Sequence, residues 1–227
     1  RGVPVEWASS VMESNKEELE QLRELAVRYQ VKLRLEPNVV PMSKGELSPV
    51  ANRLAAKSLR EYGRVLANAC AAHGVPAARP LDSAPCEAGR STVGITPEGQ
   101  LRPCLDFPAD CGSLLESSFL DLWRNETTLT RVRGLSWGDL EECNRCELRS
   151  YCTRCHIQAS VEHGKLQGPA LESCRQAVAL RAGLIERGLV PATETAMPPT
   201  WDRVDPDGRH FERNSPVIRS PRLRVLP

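Results

Sequence analysis

The segment CNRCELRSYCTRC, residues 143–155, places four cysteines in thirteen positions. Thiols at that density constrain a fold more than any apolar pattern, because they must be oxidised in pairs or gathered around metal. The chain carries nine cysteines, at 70, 86, 104, 111, 143, 146, 152, 155 and 174. An odd count without a secretory signal argues against a disulfide framework and for reduced, metal-binding thiols in the cytoplasm. Two residues between thiolates let a tight turn aim both sulfurs at one centre, a geometry that suits zinc and iron–sulfur clusters alike. Paired knuckles on one zinc usually stand roughly 15–20 residues apart. Here only five residues separate Cys146 from Cys152. Seven ordered cysteines (86, 104, 143, 146, 152, 155 and 174) exceed one four-ligand site, so the spacing points to two metal centres with interleaved ligands.

Composition narrows the partners. The 227 residues have a formal net charge of +1, which gives no global field toward nucleic acid or an acidic membrane surface. No apolar run approaches the length of a membrane span. Neither nucleic acid nor membrane is therefore expected as a partner. No Ser/His/Asp triad, P-loop or zinc-protease motif occurs. The chain opens at Arg1, and the expectation is of a segment continuing a longer protein.

Along the chain, VPVEWASSVM reads as a strand, and Ser14 or Asn15 caps a helix with Leu19, Leu22, Leu25 and Ala26 on one face. VKLRLE alternates at period two and ends at Pro37. A strand–helix–strand unit of this kind implies a parallel sheet too small to stand alone. Residues 49–73 form a second helix, with Leu54, Leu59, Tyr62, Leu66 and Cys70 on one stripe and Gly74 and Pro76 as stops. VGITPEGQLRPC reads as a hairpin whose Gly99 takes the left-handed conformation. SSFLDLWRNETTLTRVRG reads as one short helix with Leu120, Trp123 and Leu122 inward, and SCRQAVALRAGLIERG as a stronger helix ending at Gly188. Residues 191–227 hold seven of the eighteen prolines and six arginines, the composition of an extended or disordered tail.

The stretch from Cys86 to Cys174 resembles the SPASM domain, the cysteine-rich extension of radical S-adenosylmethionine enzymes that include anaerobic sulfatase maturases and peptide maturases. CEAGRSTVGITPEGQLRPC matches the first half of that pattern, with Gly99 and Cys104 at the family spacing. Cys143, Cys146 and Cys152 match the second half, and Cys174 the last cysteine. Before Cys155 there are two residues, Thr153 and Arg154, where three are usual. The resemblance implies an α/β remnant of a partial (β/α) barrel over 1–76, then a small α+β, cysteine-rich domain of short hairpins and helices over 77–188. A disordered C-terminal tail over 189–227 completes the expected organisation.

The resemblance also implies two auxiliary 4Fe-4S clusters. Cys143, Cys146, Cys152 and Cys174 would hold the outer one, and Cys86, Cys104 and Cys155 the inner one. Cys111 is the candidate for a fourth inner ligand, with Cys70 or an open iron as alternatives. Cys70 also fits the apolar stripe of its helix as an ordinary core residue. The C-x3-C-x2-C loop that binds the catalytic cluster and S-adenosylmethionine is absent, so those groups belong only to the intact protein. The expected role is in an oxidoreductase or maturase: electron transfer or substrate binding, with a peptide or protein substrate and an external electron donor or acceptor. A structural zinc module and a stand-alone electron carrier are the alternatives. His156 is expected either to hydrogen-bond a sulfur or, like His73, His163 and His210, to be ordinary. Arg145, Arg149 and Arg154 either raise cluster potentials or form a solvated basic face.

Overall fold

The computed structural model describes residues 2–42, 46–192, 197–206 and 208. Strand β1 (Glu6–Ser10), helix α1 (Leu19–Arg28) and strand β2 (Lys32–Glu36) form the expected unit. The two strands pair in parallel, with Trp7 opposite Leu33 and Ser9 opposite Leu35. Half-buried Trp7, Ser9, Leu33 and Leu35 alternate with exposed Glu6, Ala8, Ser10, Lys32 and Arg34, as period-two sequence requires.

Helix α2 (Ala56–His73) starts seven residues later than the apolar pattern suggests. Before it, Ser48–Asn52 makes a single 3-10 turn, and Arg53 is extended (φ −59°, ψ 145°). The break has a tertiary cause. Arg53 is buried, with its Nε donating to Val39 O at 2.9 Å and lying 3.8 Å from Glu172 Oε2. Glu13 then accepts from the Ala55 N–H at 3.0 Å and the Ser58 hydroxyl at 3.2 Å, which caps α2 from outside the helix. Gly74 ends it as expected, its N–H bonded to Cys70 O.

Strands β3 (Gly94–Ile95) and β4 (Leu101–Arg102) make the expected hairpin. Gly99 closes its turn at φ +79°, a conformation that costs a side chain little only when there is none. The helical stretch that follows is two helices, α3 (Phe119–Asn125) and α4 (Thr127–Gly134), rather than one. Glu126 is extended between them and its carboxylate caps α4 by accepting from Leu129 N at 2.7 Å. Leu120 faces outward at 54% exposure, against the expected inward position, while Leu122 and Trp123 are half-buried. Trp123 stacks on Phe119 and lies under the Arg133 guanidinium.

Helix α5 (His156–His163) begins directly after Cys155 and was not legible as a helix. Helix α6 (Leu171–Glu186) is closed by Gly188 at φ +68°. It lies along α2, so the last helix of the cysteine-rich region packs on the N-terminal unit. Val11, Leu54, Leu59, Tyr62 and Ala179 form the shared core.

Part of the expected tail is ordered. Residues 197–206 lie against the molecule, with Thr200 and Asp205 buried. Arg175 Nε donates to Pro206 O, and Arg53 to Gly208 O, which tethers this strap to α6 and to the start of α2. Residues 193–196, 207 and 209–227 of the expected tail lie outside the described residues. Among the described residues no helix is long and apolar enough to cross a membrane.

Candidate metal centre

The two C-x-x-C motifs of CNRCELRSYCTRC adopt different conformations. Cys143–Arg145 is a 3-10 turn in which Cys146 N bonds Cys143 O at 3.2 Å, the knuckle expected of a metal-binding pair. Arg149 braces it by donating to Asn144 O at 2.6 Å and Cys146 O at 3.3 Å. The second motif is extended at both ends, with Cys152 at φ −97°, ψ 129° and Cys155 at φ −111°, ψ 124°. The two ends of this motif accordingly pack in different places, Cys152 in one apolar cluster and Cys155 against another.

The thiols consequently gather in two groups. Cys143, Cys146 and Cys152 join an apolar cluster of Trp137, Leu140, Leu148 and Ala177. Cys174, on α6, adjoins them: burial pushes the Cys152 thiol well above its ordinary pKa, and the charges of Cys174, Cys143 and Cys146 push it further. The Cys174 sulfur also meets the buried Thr200 hydroxyl of the strap at 3.5 Å. Cys86, Cys104 and Cys155 pack against a different cluster of Ala88, Phe107, Val132, Leu135, Ile157 and Leu166. There burial raises the Cys104 thiol to about 12, opposed by the Asp106 N–H and reinforced by Cys155 and Cys86. Among the described residues no three His, Cys, Asp or Glu side chains converge closely enough to hold a single metal ion.

The remaining candidates lie elsewhere. Cys111 is 1% exposed in a third core with Leu101 and Leu129. Its N–H bonds Leu101 O at 2.7 Å beside β4, and it packs in a different cluster from the other thiols. Burial and then Glu126 raise its pKa to about 12. Cys70 sits half-buried near the end of α2, where burial alone raises its thiol. His156 is buried, and its Nδ1 accepts from Arg154 Nη1, since a guanidinium can only donate. Burial and the Arg154 charge lower its pKa to about 3. His73 is exposed. The His163 side chain and His210 lie outside the described set. Of the three arginines, Arg145 is exposed, Arg149 half-buried and Arg154 only 3% exposed.

The donors around these thiols fit an iron–sulfur group. Ala88 N points to Cys86 Sγ at 3.4 Å. The N–H groups of Asp106, Leu148 and Ile157 similarly favour the thiolates of Cys104, Cys146 and Cys155. Each of these donors lies two residues past its cysteine, Cys155 gains a further one from Gln158 N–H, and backbone dipoles of this kind stabilise negative charge on sulfur. Two buried donors have no acceptor among the described residues: Trp137 Nε1, in the cluster with Cys152, and Arg154 Nε. A buried donor left unpaired costs about 1–3 kcal/mol. Open donors beside buried thiols suit a group that brings further sulfur acceptors and disperses thiolate charge.

The sequence comparison agrees with this donor set. Residues 86–156 match the SPASM iron–sulfur cluster-binding domain. No curated protein matches the chain. The SPASM match begins at Cys86 and stops just after Cys155, so it contains six of the seven ordered cysteines and supports iron–sulfur cluster binding by this segment. Cys174 falls beyond the matched SPASM residues, and the fold of α6 brings it to Cys152. Neither the buried Arg154 nor the Thr200 strap contact has a signature in the sequence, because each depends on which segments pack over the thiols.

Proposed function

We propose that this chain is the auxiliary-cluster portion of a radical S-adenosylmethionine enzyme that modifies a peptide or protein. Cys143, Cys146, Cys152 and Cys174 hold one 4Fe-4S cluster, and Cys86, Cys104 and Cys155 hold a second. The observation that carries this reading is the extended Cys152–Cys155 segment, which joins two separate thiol groups by four residues of backbone. When bound, such clusters accept and release single electrons. The residues of this chain bury the thiolates, supply N–H donors to them and exclude water. Thr153, exposed between the two groups, lines a cleft with Glu36, Tyr62, Tyr151 and Gln176 at the end of β2, through which a peptide reaches the bridge. The β1–α1–β2 unit is the end of the associated partial barrel. On this reading the thiols stay reduced, which favours a cytoplasmic protein served by an external electron donor or acceptor.

Anaerobic reconstitution with iron and sulfide tests the reading. About eight irons and eight sulfides per chain are expected for two four-iron clusters. Cys146→Ala should remove about half of each and leave the other cluster's spectrum intact. Tight zinc without sulfide sinks the proposal, and two surviving clusters in Cys146→Ala sink the ligand assignment.

A further inference from the structure

Arg154 stands in the extended segment between the two thiol groups, two residues after Cys152 and directly before Cys155. Its side chain does not reach solvent but turns inward, at 3% exposure. Nη2 donates to Leu166 O and, at 2.7 Å, to Gly168 O, while Nη1 donates to His156 Nδ1. These acceptors belong to α5 and the loop after it, so the guanidinium is clamped from one side. Its Nε–H, buried, has no acceptor among the described residues. Burial disfavours its charge, while Cys143 and Cys152 of one group and Cys155 of the other favour it, Cys143 also through a hydrogen bond from the guanidinium. Arg149 spends its donors on backbone carbonyls and Arg145 is exposed, so neither duplicates this position.

We propose that Arg154 is a positioning residue shared by both cluster sites: its clamped guanidinium supplies one fixed positive charge to the sulfurs on either side, with a hydrogen bond to Cys143 on one of them. The inference rests on the reading of the two thiol groups as cluster ligands. Reduction adds one electron to a cluster that already carries thiolate charge. A fixed cation in a poorly solvated site stabilises the reduced form more than the oxidised one, and so raises the potential. Because the guanidinium lies between the groups, one side chain acts on both.

The test uses the full chain, reconstituted anaerobically and reduced stepwise with dithionite and mediators while EPR follows each cluster. Iron and sulfide on the unchanged chain are counted first. Zinc, or a single cluster, overturns the cluster reading and this inference with it, before any variant is made. With two clusters present, Arg154→Met should lower the reduced-to-oxidised ratio at a fixed potential about tenfold at both sites. That is a downward shift of about 59 mV for a one-electron couple. Arg154→Lys, which keeps the charge, should retain most of both potentials. A shift at one site only, or lower stability with both potentials unmoved, overturns the proposal. If Arg154→Met does not load, iron positions from anomalous scattering on the loaded unchanged chain decide. They should flank the guanidinium, and a guanidinium beside one iron site alone overturns the proposal.

Discussion

Gly63 of α2 and Gly183 of α6 face each other where the two helices cross. A Cβ on Gly183 would lie 2.6 Å from Gly63 O, and one on Gly63 would lie 2.6 Å from the Ala179 carbonyl carbon. Both obstacles are backbone, which cannot move aside without shifting a helix. Through this contact the helix that carries Cys174 is held against the N-terminal unit.

Gly63→Ala is therefore expected to destabilise the protein. In an open helix the substitution would gain about 1 kcal/mol from propensity. Against backbone at this distance, overpacking of about 1–3 kcal/mol outweighs the gain. Gly134→Ala is the control, because a Cβ there meets nothing within 4 Å. Urea midpoints should fall for Gly63→Ala and hold or rise for Gly134→Ala.

Cys111→Ala should leave iron and sulfide content unchanged, because Cys111 packs with Leu101 and Leu129 away from the other thiols. Its cost is confined to stability, about 1–2 kcal/mol for a shortened core side chain. Cys104→Ala should instead remove the inner cluster. Iron counts on the two variants separate these roles, and a loss of iron in Cys111→Ala would restore it as a ligand.

Glu172 and Arg175 form a buried ion pair at 2.6 Å, both side chains 1% exposed, and Arg175 also donates to Leu54 O and Pro206 O. Arg175→Met should cost about 3 kcal/mol, since it leaves the buried Glu172 carboxylate with only the more distant Arg53 as a cation. It also releases the 197–206 strap, so amide exchange there should accelerate more than elsewhere. Adding Glu172→Gln should recover part of the loss, a coupling that a double-mutant cycle reads directly.

Glu13 sets a pH dependence near the start of α2. Burial raises its pKa, but hydrogen bonds from Lys16, the Ala55 N–H and Ser58 outweigh this and hold it below the ordinary glutamate value. A depressed carboxyl contributes stability above its unfolded pKa, and that contribution is lost as pH falls through the folded value. Urea midpoints should thus decline as pH drops from about 6 toward 3, and part of that decline should vanish in Glu13→Gln.

Much of the local structure was readable because local forces set it. The β1–α1–β2 unit follows apolar periodicity, the hairpin follows Pro97 and Gly99, and the stops of α2 and α6 follow glycine. The misreadings share a cause. The late start of α2 comes from Arg53 burying its guanidinium beside Glu172, a residue far along the chain. The split between α3 and α4 comes from Glu126 leaving the helix to cap the next one. Within the expected tail, the contacts of the Pro206 and Gly208 carbonyls with Arg175 and Arg53 are ones that composition cannot anticipate.

By itself the sequence determined that seven cysteines stand in an order suited to two metal centres, because ligand identity and spacing are properties of the chain. Only the tertiary structure shows the thiols packed in two separate apolar clusters. A C-x-x-C motif closes into a knuckle at Cys143–Cys146 and stays extended at Cys152–Cys155, although the spacing is the same. The difference lies in packing: Leu148 and Cys152 are buried with Trp137, whereas Ile157 draws the next residues into a separate core. The same packing turned Arg154 from one of three arginines in a charged stretch into a buried cation between two groups of thiols.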